Sequence, residues 1–288
     1  MPPHQLKSVQ CLSPAGLHAM AYKEWGDPDN PNVLVCVHGV TRVSDDFDVM
    51  ARVLATTYRV VCPDVVGRGR SDWLRNPQLY QLPQYVADMV TLLARLDAET
   101  VDWFGTSMGG LIGVGLASLP GNPLRRLILN DIGPALNPAA LARIGEYIDQ
   151  EVRFASFEEG VAYIRAISAP FGTHTDAEWG KLAGDVLRQD KDGKWIRHYD
   201  LGLAIPFKNA TPESTAQAEA LLWHAYDAIT CSTLLIRGEH SDLLSAEVAQ
   251  AMTQRGPRAT LVTLPDVGHA PTLMHADQIL VAQNFLLG

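Results

Sequence analysis

Short apolar runs recur along this chain and alternate with stretches of helical periodicity. The runs at residues 33–37 and 59–62 are apolar and rich in β-branched side chains, a pattern typical of strands buried on both faces. Residues 83–96 instead place Val86 and Val90 with other apolar residues at helical spacing, which predicts an amphipathic helix. Strands and helices therefore follow one another in the first part of the chain.

The order of these elements predicts the fold class. Strand-like runs occupy residues 6–12, 17–25, 33–37, 59–62, 100–104, 126–130, 232–236 and 259–264. Because strands that alternate with helices form mostly parallel sheets covered on both faces, we expect an α/β protein with one mostly parallel central sheet flanked by helices. Its functional residues are expected at the carboxyl ends of the strands.

A long segment that looks helical interrupts this alternation. Within residues 133–228, Asn137 and Thr211 each precede a proline, as at the start of a helix. We therefore expect a core formed by residues 1–132 and 229–288, with residues 133–228 inserted as a helical lid.

A candidate nucleophile lies between a strand-like run and a helix-like stretch, in the sequence Gly105-Thr106-Ser107-Met108-Gly109. This context is that of a nucleophile elbow, a sharp turn in which small residues on both sides let strand and helix approach while the serine hydroxyl stands in the open. A tight turn with an incidental serine is the alternative interpretation.

A serine needs a base and an orienting acid to become a good nucleophile. His269 follows the last strand-like run and Asp242 follows the run before it, so both are expected at the carboxyl edge of the sheet. The order serine, aspartate, histidine is that of α/β-hydrolases. Asp131 also follows a strand-like run and is a second candidate for the acid.

Two backbone N–H groups are candidates for an oxyanion hole. One belongs to Met108, directly after the serine, and the other to Val40, in the loop after the run at residues 33–37. Gly39, which has no side chain, lets the backbone of this loop come close to the substrate oxygen. We interpret His38, which opens the same loop, as a structural hydrogen-bonding residue.

Taken together, these motifs resemble an α/β-hydrolase of the lid-bearing esterase type. The resemblance rests on the oxyanion loop at residues 38–40, the loop at residues 63–71, the elbow at Ser107, and the late Asp242 and His269. It spans nearly the whole chain outside the insert and implies the α/β-hydrolase fold and nucleophilic hydrolysis. It also favours Asp242 as the acid, because an aspartate four residues after a glycine at this strand end is the usual setting in the family.

The expected lid is rich in aromatic residues. Trp179, Trp195, Phe207 and Trp223 are candidates for lining an apolar pocket that takes the acyl or alcohol part of an ester. For each ring taken singly, packing of the lid on the core is the alternative interpretation.

Composition and charge limit the partners. The chain has 288 residues and a formal net charge of -9, which argues against a nucleic-acid partner and against a basic membrane-surface patch. Residues 67–70, Gly-Arg-Gly-Arg, are expected to satisfy loop carbonyls and carboxylates. Arg42 is expected to pair with Asp45, Asp46 or Asp48, and contact with a substrate carboxylate is the alternative. No secretory signal is evident in residues 1–7 and no run is long enough to span a membrane, so we expect a cytoplasmic protein without membrane insertion.

The function predicted from these residues is that of a serine carboxylesterase acting through an acyl-enzyme. Its expected substrate is a small-molecule ester with a short or medium acyl chain, including hydroxyacid esters or lactones, and no metal or organic cofactor is implied. A monomer or homodimer is expected. The same residues could serve a thioester or carbon–carbon bond hydrolase, and a ligand receptor on this fold is the least favoured alternative.

Overall fold

The computed structural model describes residues 4–288. The expectation of no secretory signal concerns residues 1–7, and the first three of these lie outside the described part of the chain.

Residues 4–288 form ten strands, ten α-helices and four short 3-10 helices. The strands are β1 (Gln5–Ser13), β2 (Gly16–Trp25), β3 (Val33–Val37), β4 (Arg59–Pro63), β5 (Val101–Thr106), β6 (Leu124–Asn130), β7 (Leu187–Gln189), β8 (Trp195–Arg197), β9 (Ser232–Gly238) and β10 (Thr260–Leu264). The helices are α1 (Asp48–Leu54), α2 (Leu82–Leu96), α3 (Met108–Ala117), α4 (Pro138–Ile148), α5 (Phe157–Ile167), α6 (Asp176–Val186), α7 (Ile205–Lys208), α8 (Pro212–Asp227), α9 (Ala246–Met252) and α10 (Ala276–Leu287).

Eight of the strands form one sheet in the order β1-β2-β4-β3-β5-β6-β9-β10. The β1–β2 hairpin is antiparallel, and β2 pairs antiparallel with β4. The other six strands, β4, β3, β5, β6, β9 and β10, are parallel to one another. This confirms the predicted α/β class with a mostly parallel central sheet. The parallel strands bring their carboxyl ends to one edge.

The two faces of the sheet are buried in separate apolar clusters, as the pattern of β3 illustrates. Val35 packs in one cluster with residues of α2 and α3, such as Met89 and Ile112. Leu34, its neighbour in sequence, packs in the other cluster with residues of α1 and α10. Because successive side chains of a strand point to opposite faces, burial of both faces requires the continuous apolar run seen in the sequence.

Residues 133–228 contain five helices, α4 to α8, and the two-stranded antiparallel sheet of β7 and β8. Neither strand joins the central sheet in the described structure. The insert was expected to be helical, and the sequence did not predict this hairpin. Its strands are three residues long, too short to show an alternating pattern, and its turn uses Gly193 at a φ of 75°.

Among residues 4–288, no helix combines the length and the apolar character needed to cross a lipid bilayer.

Candidate active site

Ser107 occupies a strained turn at the carboxyl end of β5. Its φ of 52° and ψ of -117° lie where L-residues are rarely found, and α3 begins at the next residue. A methyl group on Gly105 would collide with the Gly109 backbone, and one on Gly109 would collide with the carbonyl oxygen of Val37. The small residues predicted for a nucleophile elbow are therefore required by close backbone contacts.

We expect Gly109→Ala to destabilise the fold by about 1–3 kcal/mol or more, because neither the helix nor β3 can yield easily to the added methyl group. Urea unfolding of the purified variant measures the loss. Gly180→Ala is the matched control: that glycine lies within α6, and a methyl group there meets no atom within 4 Å. The control is expected to be neutral or stabilising by about 0.5–1 kcal/mol. Equal stabilities for the two variants would contradict the close contact at the elbow.

A chain of hydrogen bonds links Ser107 to a histidine and an aspartate. The Oγ of Ser107 lies 2.9 Å from Nε2 of His269, and Nδ1 of the same ring lies 2.8 Å from Oδ2 of Asp131. Asp131 is completely buried and follows β6 directly. Its carboxylate also accepts the backbone N–H of Gly238 at 2.8 Å and the hydroxyl of Ser241 at 2.6 Å. These bonds fix the orientation of the carboxylate toward the imidazole.

Asp242 does not lie at the histidine, so its prediction as the orienting acid is corrected in favour of Asp131. The Asp242 side chain is 42% exposed and accepts hydrogen bonds from the guanidinium of Arg143, with an Nη2–Oδ2 distance of 2.6 Å. The preceding residue, Ser241, is the one that turns toward the site. Because β6 and β9 are adjacent and parallel, the loops after them meet, and a carboxylate from either loop can reach the same space.

The predicted oxyanion donors flank Ser107. Met108 is the first residue of α3, so its N–H has no partner within the helix. Neither this N–H nor that of Val40 donates a hydrogen bond to any atom of residues 4–288. Buried Arg68 bridges the two segments: its Nε donates to the Val40 carbonyl at 2.8 Å, and its Nη2 lies 3.3 Å from the Met108 sulfur. Both N–H groups are therefore available, and their role as an oxyanion hole stays a prediction.

His38 is buried away from the reacting groups. Its Nε2 accepts the Val65 N–H at 2.9 Å, and its Nδ1 lies 2.7 Å from the Gly39 carbonyl oxygen, to which it donates in the neutral tautomer. Burial lowers the pKa of this imidazole to about 4, which keeps it neutral at pH 7. These contacts hold the loop after β3, in agreement with the structural interpretation of this residue.

The other charged residues considered from the sequence also hold loops. Arg42 donates to both carboxylate oxygens of Asp46, with Nε–Oδ2 at 2.8 Å. Arg68 donates to the Val66 carbonyl at 2.7 Å, and Arg70 to Asp45 at 2.9 Å. The pairings expected for Arg42 and for the Gly-Arg-Gly-Arg segment are thus present.

Two cavities meet at Ser107. The larger, of about 530 Å³, reaches Val40, Met108 and the insert and has a predominantly apolar lining. Its apolar side chains include Leu82, Leu111, Leu136, Leu141, Phe207 and Leu222. The smaller, of about 80 Å³, contains His269 as well as Ser107 and is lined in part by residues of α4 and β8. The candidate nucleophile is therefore accessible from an apolar side and from a more polar side.

Of the four aromatic residues predicted to bind substrate, Phe207 alone lines either cavity. Trp179 is buried beside His174, with ring centroids 5.1 Å apart, and Trp195 packs on Phe157 at 5.0 Å. Trp223 packs on Tyr226 and lies under the guanidinium of Arg255 at 4.1 Å. The prediction is corrected for these three tryptophans, which pack within the insert and against its neighbours; leucine is the most frequent residue type in the lining of the larger cavity.

Possible metal ligands lie apart from Ser107. A buried group comprises Cys11, His18 and Asp88, and its His18 Nε2 lies 3.1 Å from the Asp88 carboxylate. Burial raises the pKa of the Cys11 thiol to about 12, which opposes the thiolate that a metal requires. The second group, Glu239, His240 and Asp266, is exposed. Neither group touches the hydrogen-bonded chain at Ser107.

This fold and this serine, histidine and aspartate geometry define a hydrolase of the α/β class. The model of the alpha/beta hydrolase family matches residues 34–282. The chain belongs to the alpha/beta hydrolase family.

Individual relatives agree with this placement. A 3-hydroxybutyrate-oligomer hydrolase from Cupriavidus necator is 56% identical over 287 residues, covering 99% of this chain and 98% of that protein. Esterase YbfF of Escherichia coli is 24% identical and covers 88% of this chain and 92% of its own length. The crystal structure of an alpha/beta hydrolase from Novosphingobium aromaticivorans superposes with a TM-score of 0.87 at 33% identity, covering 100% of this chain and 99% of that one.

Proposed function

We propose that this protein hydrolyses the ester bonds of short hydroxyacid oligomers, in particular oligomers of 3-hydroxybutyrate. The observation that carries the reaction type is the continuous hydrogen-bond chain from Ser107 through His269 to buried Asp131. The full-length similarity to a 3-hydroxybutyrate-oligomer hydrolase supports the substrate class.

In the first half of the proposed reaction, His269 Nε2 takes the proton of Ser107 as its oxygen attacks the ester carbonyl carbon. The N–H groups of Val40 and Met108 stabilise the oxygen that becomes negative. Asp131 holds the imidazole in the tautomer with its proton on Nδ1 and stabilises the charged form. His269 then gives the proton to the departing alcohol, which leaves an acyl-enzyme on Ser107.

In the second half, water takes the place of the alcohol. His269 removes a proton from the water as it attacks the acyl-enzyme, and returns that proton to Ser107 when the acid leaves. Two ordinary acyl transfers thus replace one slow hydrolysis.

We further propose that residues 133–228 act as a lid over the carboxyl edge of the sheet. In support, Leu136, Leu141 and Phe207 from this segment line the large cavity beside Ser107. The segment is also tied to the core, since Arg42 donates to the carbonyl of Leu182 at 3.0 Å. A lid in this position excludes water from the acyl half of the substrate.

The test is to measure release of 3-hydroxybutyrate from its linear dimer, trimer and tetramer, in parallel with hydrolysis of p-nitrophenyl butyrate, butyryl-CoA and a dienoate with a cleavable carbon–carbon bond. We expect turnover of the oligomers and of the p-nitrophenyl ester. Turnover confined to the thioester or to the dienoate would reject the ester-hydrolase proposal. A single slow turnover on every substrate would instead favour a ligand receptor.

A further inference from the structure

The small cavity at Ser107 has an unusual charge for this protein. Three arginines line it, Arg42, Arg143 and Arg197, and no aspartate or glutamate is among its lining residues. The chain as a whole has a net charge of -9. A pocket of positive side chains in an acidic protein attracts an anion and repels a cation.

The three arginines differ in how their charge is compensated. Arg42 is paired with Asp46, and half-exposed Arg143 is paired with half-exposed Asp242. Arg197 is 6% exposed, and its guanidinium forms no ion pair with an aspartate or glutamate of residues 4–288. Its two terminal nitrogens donate to the carbonyls of Tyr147 and Gln150.

Two polar atoms beside this cavity also lack a partner. The Nε of Arg197 and the hydroxyl of Tyr199 are buried without a hydrogen bond in the described structure, and both residues line the cavity. A buried cation without an anion is costly, and so is a buried donor without an acceptor. A carboxylate bound in the cavity would reduce the first cost, and after a small side-chain adjustment it could accept from these donors.

The position of His269 indicates which half of an ester enters this cavity. His269 must reach the leaving alcohol oxygen to protonate it, and it lines the small cavity and not the large one. The large cavity lacks His269 and contains Met108, whose N–H is a predicted donor to the acyl oxygen. The alcohol half is therefore placed in the small cavity and the acyl half in the large one.

We propose that the small cavity binds the free carboxylate of the alcohol half, so that the enzyme removes one hydroxyacid unit at a time from the carboxyl end of an oligomer. This inference rests on the proposed ester hydrolysis. The volumes agree with it, since about 80 Å³ on one side compares with about 530 Å³ on the other. The terminal unit carries both the alcohol oxygen and the carboxylate, whereas the remaining units extend along the apolar side.

In the proposed step, one bond to the acyl carbon forms and one breaks. The Ser107 oxygen bonds to the acyl carbon, the ester bond to the terminal unit breaks, and the proton of Ser107 passes through His269 to that unit's oxygen. The products are one hydroxyacid with its carboxylate unchanged and an acyl-enzyme, which water hydrolyses to the shortened oligomer.

The experiment compares the 3-hydroxybutyrate dimer as the free acid with its methyl ester, which removes the negative charge but keeps the bond to be cleaved. For the wild type we expect kcat/KM for cleavage of the internal ester to be at least about tenfold higher for the acid. Arg143→Gln and Arg197→Gln are each expected to bring this ratio down toward one. Arg255→Gln is the matched control, because Arg255 forms a similarly exposed pair with Asp227 away from either cavity, and it should keep the wild-type ratio.

A wild-type ratio near one would overturn the carboxylate site. Circular dichroism of Arg197→Gln shows whether this variant folds without the buried arginine. If it does not fold, the wild-type ratio and the ratio for Arg143→Gln test the carboxylate site. Hydrolysis of p-nitrophenyl butyrate, which has no carboxylate, distinguishes failure of the carboxylate site from failure of the proposed ester hydrolysis. If the wild type did not hydrolyse this ester, ester hydrolysis itself would be contradicted.

The direction of cleavage has its own readout. A trimer labelled with carbon-13 in the carboxyl-terminal unit is expected to release labelled monomer first and to leave an unlabelled dimer. Label that remains in the dimer would contradict removal from the carboxyl end.

Discussion

Replacing Ser107 by alanine is expected to lower kcat for ester hydrolysis by about 10⁶-fold, because every covalent step of the proposed reaction passes through its oxygen. Residual activity would come from the oxyanion donors and substrate binding alone. Initial rates on p-nitrophenyl butyrate, with enzyme concentrations raised to detect the residual rate, measure the effect. The variant should fold normally, since His269 is the one hydrogen-bond partner of the Ser107 hydroxyl among residues 4–288.

Ser118→Ala is the control for this experiment. Ser118 directly follows α3, and its hydroxyl donates to the Gly115 carbonyl at 2.8 Å, away from His269. Its rate should equal that of the wild type. A Ser107→Ala enzyme that kept a tenth of the wild-type rate would show that another group is the nucleophile.

Replacing Asp131 by asparagine is expected to lower kcat by about 10⁴-fold, because the amide can no longer hold the proton on Nδ1 of His269 or stabilise the charged imidazole. Asp242→Asn should change the rate by less than about twofold, since it removes only an exposed ion pair. Rates on p-nitrophenyl butyrate, which has no carboxylate to contact Arg143, give a direct comparison of the two variants.

Thermal unfolding of both variants separates catalysis from folding. Asp131→Asn also places an amide beside the donors of Gly238 and Ser241, so some loss of stability is expected. Loss of activity in Asp242→Asn, together with retained activity in Asp131→Asn, would contradict the assignment of Asp131 as the carboxylate that orients His269.

The predictions that the structure corrected were wrong for identifiable physical reasons. Three tryptophans of the insert were expected to bind substrate because aromatic side chains suit apolar pockets, yet Trp179, Trp195 and Trp223 pack elsewhere. Periodicity gives the faces of a helix but not the way in which helices dock on one another. The same limit hid the β7–β8 hairpin, and with it the burial of Arg197 beside the small cavity.

Other features followed from local chemistry and were confirmed at the level of the fold. Continuous apolar runs such as β3 are required wherever a strand is buried on both faces, so the parallel sheet could be predicted without tertiary information. The elbow was equally evident from its motif, with a glycine two residues before and two residues after Ser107, although one of the contacts that require these glycines, that of Gly109 with Val37, is tertiary. The family membership follows from these motifs and their order.

The sequence by itself thus determined the class of fold, the turn that presents Ser107 and the loop that holds His269, because each depends on residues close together in the chain. Only the tertiary structure decided which aspartate meets the histidine. Asp131 and Asp242 both follow strands that end at the same edge, and the difference lies in the direction of two side chains across neighbouring loops. The two cavities were also decided there, since their walls combine residues from the core and from the insert.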